Sequence, residues 1–433
     1  MLTAVQKVQE IVGAENAAAD ERLESYRLGA RRPRVAARPT DEGEVSALLG
    51  LAAAERWGVV PWGSGLHQCI GARPTRYDLA LDLRRMDRIL GYEPADLTVS
   101  VQAGIRLRDL DAALAAAGQL LGLDPPLAEP ATLGGVLAAD LSGPLRCQYG
   151  TARDLVLGAR VAHADGVLTT AGVRVVKNAT GYDVTKLYLG SLGTLAVLLE
   201  VSLRLFPRPQ AEESWWVPTR DLTEAHSLAQ RVLGSHLRPD RAELLDPEAA
   251  KGLGIGNGPG LLASFAGVAE AVSAQGGDVV RWAAEAGTLA QSLGRASAIW
   301  QRCRDFPWRP TPGTARATWR AGALPADSAK ALLALRDAMG AAGKAAAIAS
   351  VAHGTLRGEI AAEEAALPRL LGAVRSAIEA LGGYLVVLDL PETIRAEVDV
   401  WGPPSDGYGL MRGLKTGFDP AAVLNPGRFA GGL

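Results

Sequence analysis

The sequence predicts an α+β protein in two domains, and three features carry that prediction. A chain of 433 residues exceeds what one ordinary hydrophobic core organises. Its first half opens strand, helix, strand: Arg34–Pro39, a helix with Val45, Leu48, Leu49 and Ala52 at helical spacing, then Val59-Val60. After Pro207 the pattern changes. Helical spacing at Leu222–Leu233, Ala326–Met339 and Leu367–Leu381 alternates with apolar runs at 261–265, 347–351 and 384–388, as expected for a sheet with helices packed on it.

Taken in order, residues 1–28 read as an amphipathic helix with Val5, Val8, Ile11 and Val12 on one face. Thr40-Asp41 caps the next helix and Gly58 closes it. Strands are expected at 79–83 and 97–101. Gly104 precedes an Ala/Leu-rich helix from Leu107 to Ala117, stopped by Gly118. Leu155–Leu168 reads as a hairpin turning at Asp165-Gly166. Tyr182-Asp183 opens a short helix that Gly190 ends, and Gly193 permits a second tight turn or a close approach to a ligand. Leu195, Val197, Leu199, Val201, Leu203 and Leu205 then alternate as one face of a long strand. Lys251–Gly260 is dense in glycine and reads as an exposed loop. The expected units are a helix at 1–28, a first domain at 29–208, a second at 209–400, and a segment at 401–433 that returns to the first.

Composition narrows the function. Lys and Arg total 45 against 47 Asp and Glu, which leaves no overall basic field for nucleic acid. The 3 cysteines, Cys69, Cys147 and Cys303, lie far apart without CxxC spacing, so neither an iron–sulfur cluster nor a disulfide framework is expected, consistent with a reducing cytoplasm. No apolar run reaches the ~20 residues that span a bilayer. Direct membrane insertion is not expected, whereas peripheral attachment through a partner stays open.

Several stretches look like parts of a site. Pro61-Trp62-Gly63-Ser64-Gly65-Leu66-His67 is a glycine turn at the end of a strand, where small residues let backbone N–H groups converge on phosphate oxygens. No helix pattern follows it, so it is not a dinucleotide fingerprint of the GxGxxG kind. Three further turn-rich segments, at 131–135, 142–144 and 149–154, suit the wrapping of an extended ligand by backbone donors. The tail ends in Leu424-Asn425-Pro426-Gly427, a proline-stiffened turn.

The run VKN-x-x-GYD followed by LG-S-LGTL at 176–195, the P-x-G-x-G loop at 61–65 and the LNPG tail occur in one order. Together they resemble the flavoproteins of the vanillyl-alcohol oxidase / p-cresol methylhydroxylase superfamily. Within it the spelling is most similar to that of the smaller FAD-binding subunits of bacterial glycolate oxidases. The resemblance is strong over 35–207 and 410–430 and weak between them. It implies a two-subdomain FAD-binding domain of p-cresol methylhydroxylase type with an α+β sheet-and-helix cap. It puts FAD at Pro61–His67, at Thr132, Gly134 and Gly135, at Ser142 and Gly143, at Gly150, Thr151 and Asp154, at Gly181 and Tyr182, at Gly190 and Gly193, and at Asn425. Some relatives attach FAD through a histidine of this loop; aligned on its glycines, Leu66 rather than His67 holds that place, so non-covalent FAD is expected.

Oxidising a 2-hydroxy acid on a flavin needs a base for the hydroxyl proton and a cation for the carboxylate. His353 at the end of an apolar strand, with Arg357 close behind, is the pair the sequence offers. The histidine-rich metal motif of larger catalytic flavin subunits is missing, so no metal site is expected. The resemblance implies a subunit working with a larger catalytic flavin subunit and an iron–sulfur subunit on a small 2-hydroxy acid. A self-sufficient oxidoreductase of the same superfamily and a redox-silent assembly subunit are the alternatives.

Overall fold

The computed structural model of the chain describes residues 2–172, 183–308, 315–340 and 342–433. Three larger sheets and one two-stranded pairing, Phe206–Pro207 with Gln119–Leu120, organise them. The first has the order Ala17–Ala18, Val35–Ala37, Leu79–Asp82, Val59–Trp62, with the last three parallel and Ala17–Ala18 antiparallel at the edge. The helix Glu42–Glu55 joins two of these strands. The Asp41 side chain accepts from the Glu44 N–H and starts the helix, which buries Val45, Leu48, Leu49 and Ala52. Arg56, not Gly58, takes the left-handed position that ends it. Gly58 is required for space, because a Cβ there would lie 2.4 Å from the Arg76 carbonyl oxygen.

The second sheet is antiparallel, in the order Ile89–Glu93, Thr98–Gln102, Val197–Arg204, Val156–Ala162, Leu168–Gly172. The 156–172 hairpin forms as its turn signal predicts, and Gly118 ends the helix Leu107–Ala116. The long central strand differs from strict alternation. A bulge between Leu198 and Glu200 turns it over, so Val197 and Leu199 pack with the first sheet and its helix. Leu198, Val201 and Leu203 pack into the core beside Leu110, Leu133 and Leu137.

The third sheet has eight antiparallel strands, in the order 291–294, 211–218, 260–267, 239–245, 344–350, 355–361, 316–322, 384–389. Helices Leu222–Leu233, Ala269–Glu285, Ser328–Met339 and Leu367–Glu379 cover one face around Trp319, Phe265 and Leu244. The opposite face carries Arg241, Glu243, Ser350, Arg357 and Arg320, and part of it meets the first domain. Arg320 Nη1 donates to the Asp140 carbonyl, Arg146 to Thr355 Oγ1, and Leu388 packs into the first domain's core.

Other expectations change. The first helix covers only Ala4–Val12, since Gly13 takes φ +81° and a short 3-10 turn, the 17–18 strand and a 3-10 segment at 20–26 follow. The segment at Thr132 is not an open turn; Leu133–Ala139 is helical. Lys251–Leu253 belongs to the helix Pro247–Leu253 and buries Leu253, so the expected exposed loop is shorter.

The C-terminal segment packs against the first domain. The helix Tyr408–Phe418 lies largely exposed but buries Lys415, whose ammonium donates to Asp419 Oδ2 (2.6 Å) and to the carbonyls of Thr194 and Leu424. Asp419, with a side chain fully buried, also accepts from the N–H groups of Val423 and Leu424. The chain then runs beside the first sheet, with Val59 N–H donating to the Val423 carbonyl and Asn425 N–H to the Val59 carbonyl. Replacing Lys415 by Met leaves Asp419 buried without its cation, at a cost of about 3–5 kcal/mol. Urea denaturation of Lys415→Met is expected to show that loss, and Lys415→Met/Asp419→Leu should be more stable than the single variant.

Candidate functional site

One cleft gathers most of the expected ligand-binding turns. Pro61–Gln68 form one wall. Thr132, Gly134 and Gly135, Leu192–Gly193 with Ala196–Leu198, and Asn425 with Arg428 complete it. A strand end, a helix start, a tight turn and the returning C-terminus thus meet around one space.

Local geometry explains the glycines. At Gly63 a Cβ would lie 1.9 Å from Thr132 Oγ1, and at Gly65, with φ +78°, 2.6 Å from the Trp62 ring. The loop is fixed from behind. Gln68 Nε2 donates to the Pro61 carbonyl, Trp62 Nε1 to Tyr77 Oη, and Arg428 to the carbonyls of Gln68 and Ile70. Among the described residues, no protein acceptor pairs with the N–H groups of Ser64, Gly65, Leu66 or His67. Successive free donors on a rigid turn suit an anion such as a diphosphate.

Buried groups in the wall also point to a ligand. Asn425, at φ +43°, donates from Nδ2 to the Leu192 carbonyl, and its Oδ1 has no partner. Arg428 is 3% exposed, and among the described residues no carboxylate pairs with it. Burial, followed by the neighbouring Arg73 charge, pulls its guanidinium down to about 10. A buried cation, an orphaned acceptor and a row of free N–H groups fit a long, anionic, hydrogen-bonding cofactor. The backbone of Pro61–His67, with Thr132, Gly134, Gly135, Gly193 and Asn425, would hold it.

The remaining expected site residues lie elsewhere. Ser142, Gly143, Gly150, Thr151 and Asp154 are not part of the cleft wall. A Cβ at Gly143 would lie 2.0 Å from the Asp124 carbonyl oxygen, so that glycine serves a close chain crossing. Thr151 and Asp154 form a reciprocal cap on the helix Ala152–Leu155. Gly190, at φ +79°, shapes the turn before Gly193 without lining the cleft. Gly181 and Tyr182 lie outside the described residues. The supposed base and cation also change. His353 is not in the cleft wall; it faces Thr355 Oγ1 through Nδ1, and burial, then Arg146 and Arg357, lowers it to about 3. Arg357 is committed to the buried Glu243 at 2.9 Å, to Ser350 Oγ and to the Cys303 carbonyl, so it is not a free partner for a substrate carboxylate. Arg320 on the neighbouring strand has no carboxylate partner among the described residues, and its Nε is unpaired.

Sequence reasoning missed Gln68, Gly104 and Arg428 in this wall. For Arg428 the available signal was its place directly after the Leu424–Gly427 turn. No helix among the described residues is long and apolar enough to cross a membrane, and none of their side chains cluster as a three-ligand metal site.

The fold is of p-cresol methylhydroxylase type. Residues 33–172 match the family described as an FAD binding domain, and FAD is the cofactor. The structure is similar to that of p-cresol methylhydroxylase with substrate bound, with TM-score 0.78 and 15% identity over 98% of this chain and 96% of the other. It is also similar to alkyldihydroxyacetonephosphate synthase, with TM-score 0.71 and 20% identity over 92% and 76%. Among curated proteins, glycolate oxidase subunit GlcE of Escherichia coli is 42% identical over 135 residues, 31% of this chain and 39% of that one. Glycolate oxidase subunit GlcD of Bacillus subtilis is 30% identical over 208 residues, 48% and 44%. A D-lactate dehydrogenase of Anaerostipes hadrus is 29% identical over 250 residues, 56% and 52%. The matches thus span about half the length, or less, of these curated relatives.

Two substitutions separate cofactor binding from folding. A Cβ at Gly135 meets only Thr132 Oγ1, at 3.2 Å, so a larger side chain there projects into the cleft. Gly135→Val is expected to fold, by circular dichroism, and to purify with little flavin, read as the 450 nm band per chain. Arg357→Met should do the reverse, losing about 3–5 kcal/mol in urea titration as Glu243 is stranded while FAD content stays near wild type.

Proposed function

We propose that this chain is a flavin subunit that oxidises a 2-hydroxy acid and passes the electrons singly to an iron–sulfur partner, in an assembly with a larger catalytic flavin subunit. The observation that carries this reading is the FAD cleft, with its free loop N–H groups and buried Arg428, in a chain whose relatives are named glycolate oxidase subunits and D-lactate dehydrogenases. Bound FAD supplies two-electron acceptance from a C–H bond and release in single steps. The protein supplies the rest. Arg320, on the face of the third sheet that meets the first domain, is the cation proposed for the substrate carboxylate, in place of Arg357. FAD is held without a covalent bond, because Leu66 occupies the glycine-aligned attachment position. The assembly works in the cytoplasm, reaching a membrane only through its partners.

A second reading, the self-sufficient oxidoreductase, is favoured by one observation: the cleft wall contains an imidazole whose Nε2 is buried and unused, His67. Anaerobic mixing with glycolate and D-lactate separates the two. In the subunit reading the isolated chain bleaches slowly, and bleaching accelerates when the larger flavin and iron–sulfur subunits are co-expressed. Rapid bleaching by the chain alone favours the self-sufficient enzyme, and no bleaching in either setting removes both. Acid precipitation should release all flavin to the supernatant; flavin retained on a peptide containing His67 would contradict non-covalent binding.

A further inference from the structure

His67 joins the glycine loop to the second domain. It lines the FAD cleft, and the Trp308 ring meets it edge-on at 5.1 Å between centroids. The His67 Nε2 is buried and has no partner among the described residues. With the ring proton on Nδ1, that nitrogen is a bare acceptor. Burial holds the ring well below its usual basicity, at about 4, so it is neutral near pH 7 and able to receive a proton.

A buried acceptor left unpaired costs about 1–3 kcal/mol, and a ligand bringing a donor recovers that cost. His353 also has an unpaired Nε2, but it lies outside the cleft and beside the cations Arg146 and Arg357. Of the two, His67 is the one placed where cofactor and second domain meet.

We propose that Nε2 of His67 is the catalytic base that takes the hydroxyl proton of a 2-hydroxy acid, an inference that rests on the proposed function. The substrate O–H bond breaks and its proton passes to Nε2. The Cα–H bond breaks, its electron pair leaves with the hydrogen to the bound flavin, and the Cα–O single bond becomes a carbonyl. Two electrons and one proton thus leave on the hydride and one proton on the imidazole. An anionic substrate suits this base better than a neutral alcohol. A carboxylate beside the ring favours the imidazolium, offsetting the burial that otherwise opposes it. When the 2-oxo acid departs, that support goes and the imidazolium gives up its proton.

Two measurements test the proposal on the FAD-loaded chain. Nitrogen-15 NMR, with His67 signals assigned by their loss in His67→Gln, should show Nε2 unprotonated at pH 7. A proton on Nε2 overturns the proposal. Stopped-flow reduction by glycolate and D-lactate, with the partner subunits supplied if the chain alone is slow, should fall about 10²–10⁴-fold in His67→Gln and His67→Ala. FAD content and dithionite reduction should stay at wild-type values, and added imidazole should restore part of the rate in His67→Ala only. Unchanged reduction in His67→Gln overturns the proposal. So does loss of FAD from that variant, which would make the cofactor the donor that Nε2 receives. If no 2-hydroxy acid reduces the wild type, the proposed function and the hydroxy-acid base fall together. If the wild type is reduced but the variants keep its rate, only the base falls.

Discussion

The buried pair of Lys415 and Asp419 holds the cofactor cleft together. Its ammonium ties the last helix to the carbonyl after Gly193, and its carboxylate collects two backbone N–H groups of the strand-like tail. That geometry brings Leu424 beside Val59 and carries Asn425 and Arg428 into the cleft wall. Neither residue would reach the glycine loop without it, since more than 350 positions separate them from Gln68 in sequence. A buried ion pair contributes little net stability against an apolar substitute, but it tolerates few alternative arrangements. Here it defines where the chain end lies.

Charge in the site follows from the same closure. Arg428 and Arg395 both come from the C-terminal part of the chain, and both donate to carbonyls of the loop at 68–71, while Arg73 reaches the Gln68 carbonyl from just after it. Arg73 and Arg395 have carboxylate partners in Glu392 and Asp389, whereas Arg428 has none among the described residues. The loop is thus stiffened by cations whose total charge is not cancelled locally. An anion entering the cleft meets oriented N–H groups backed by a positive residue.

Much of this was legible in the sequence because turns announce themselves. Glycine, proline and asparagine mark the loop at 61–67, the helix start at 132–135 and the tail at 424–427, and all three line the cleft. The outlying segments at 142–143 and 150–154 have similar composition but serve a chain crossing and a helix cap, a distinction set by tertiary packing. The helix Ala269–Glu285 was not among the expected ones and carries Gly276-Gly277 within it; a Cβ at Gly276 would come within 2.7 Å of the Trp215 ring. Arg357 looked free because its partner, Glu243, lies 114 positions away. His67 was read as a question of flavin attachment, whereas its interest lies in an unused nitrogen that only packing shows.

The bulge at Leu198–Glu200 has a consequence for how the protein can change. One strand serves two cores, and the extra residue sets which side chains each core receives. Deleting a residue after it, such as Val201, would shift the remainder of the strand by one position, sending Ser202 and Arg204 inward and Leu203 out. Loops around this strand can lengthen or shorten at modest cost. Its own residue count cannot, and homologues that keep the cleft should keep the spacing between Gly193 and Leu203 invariant.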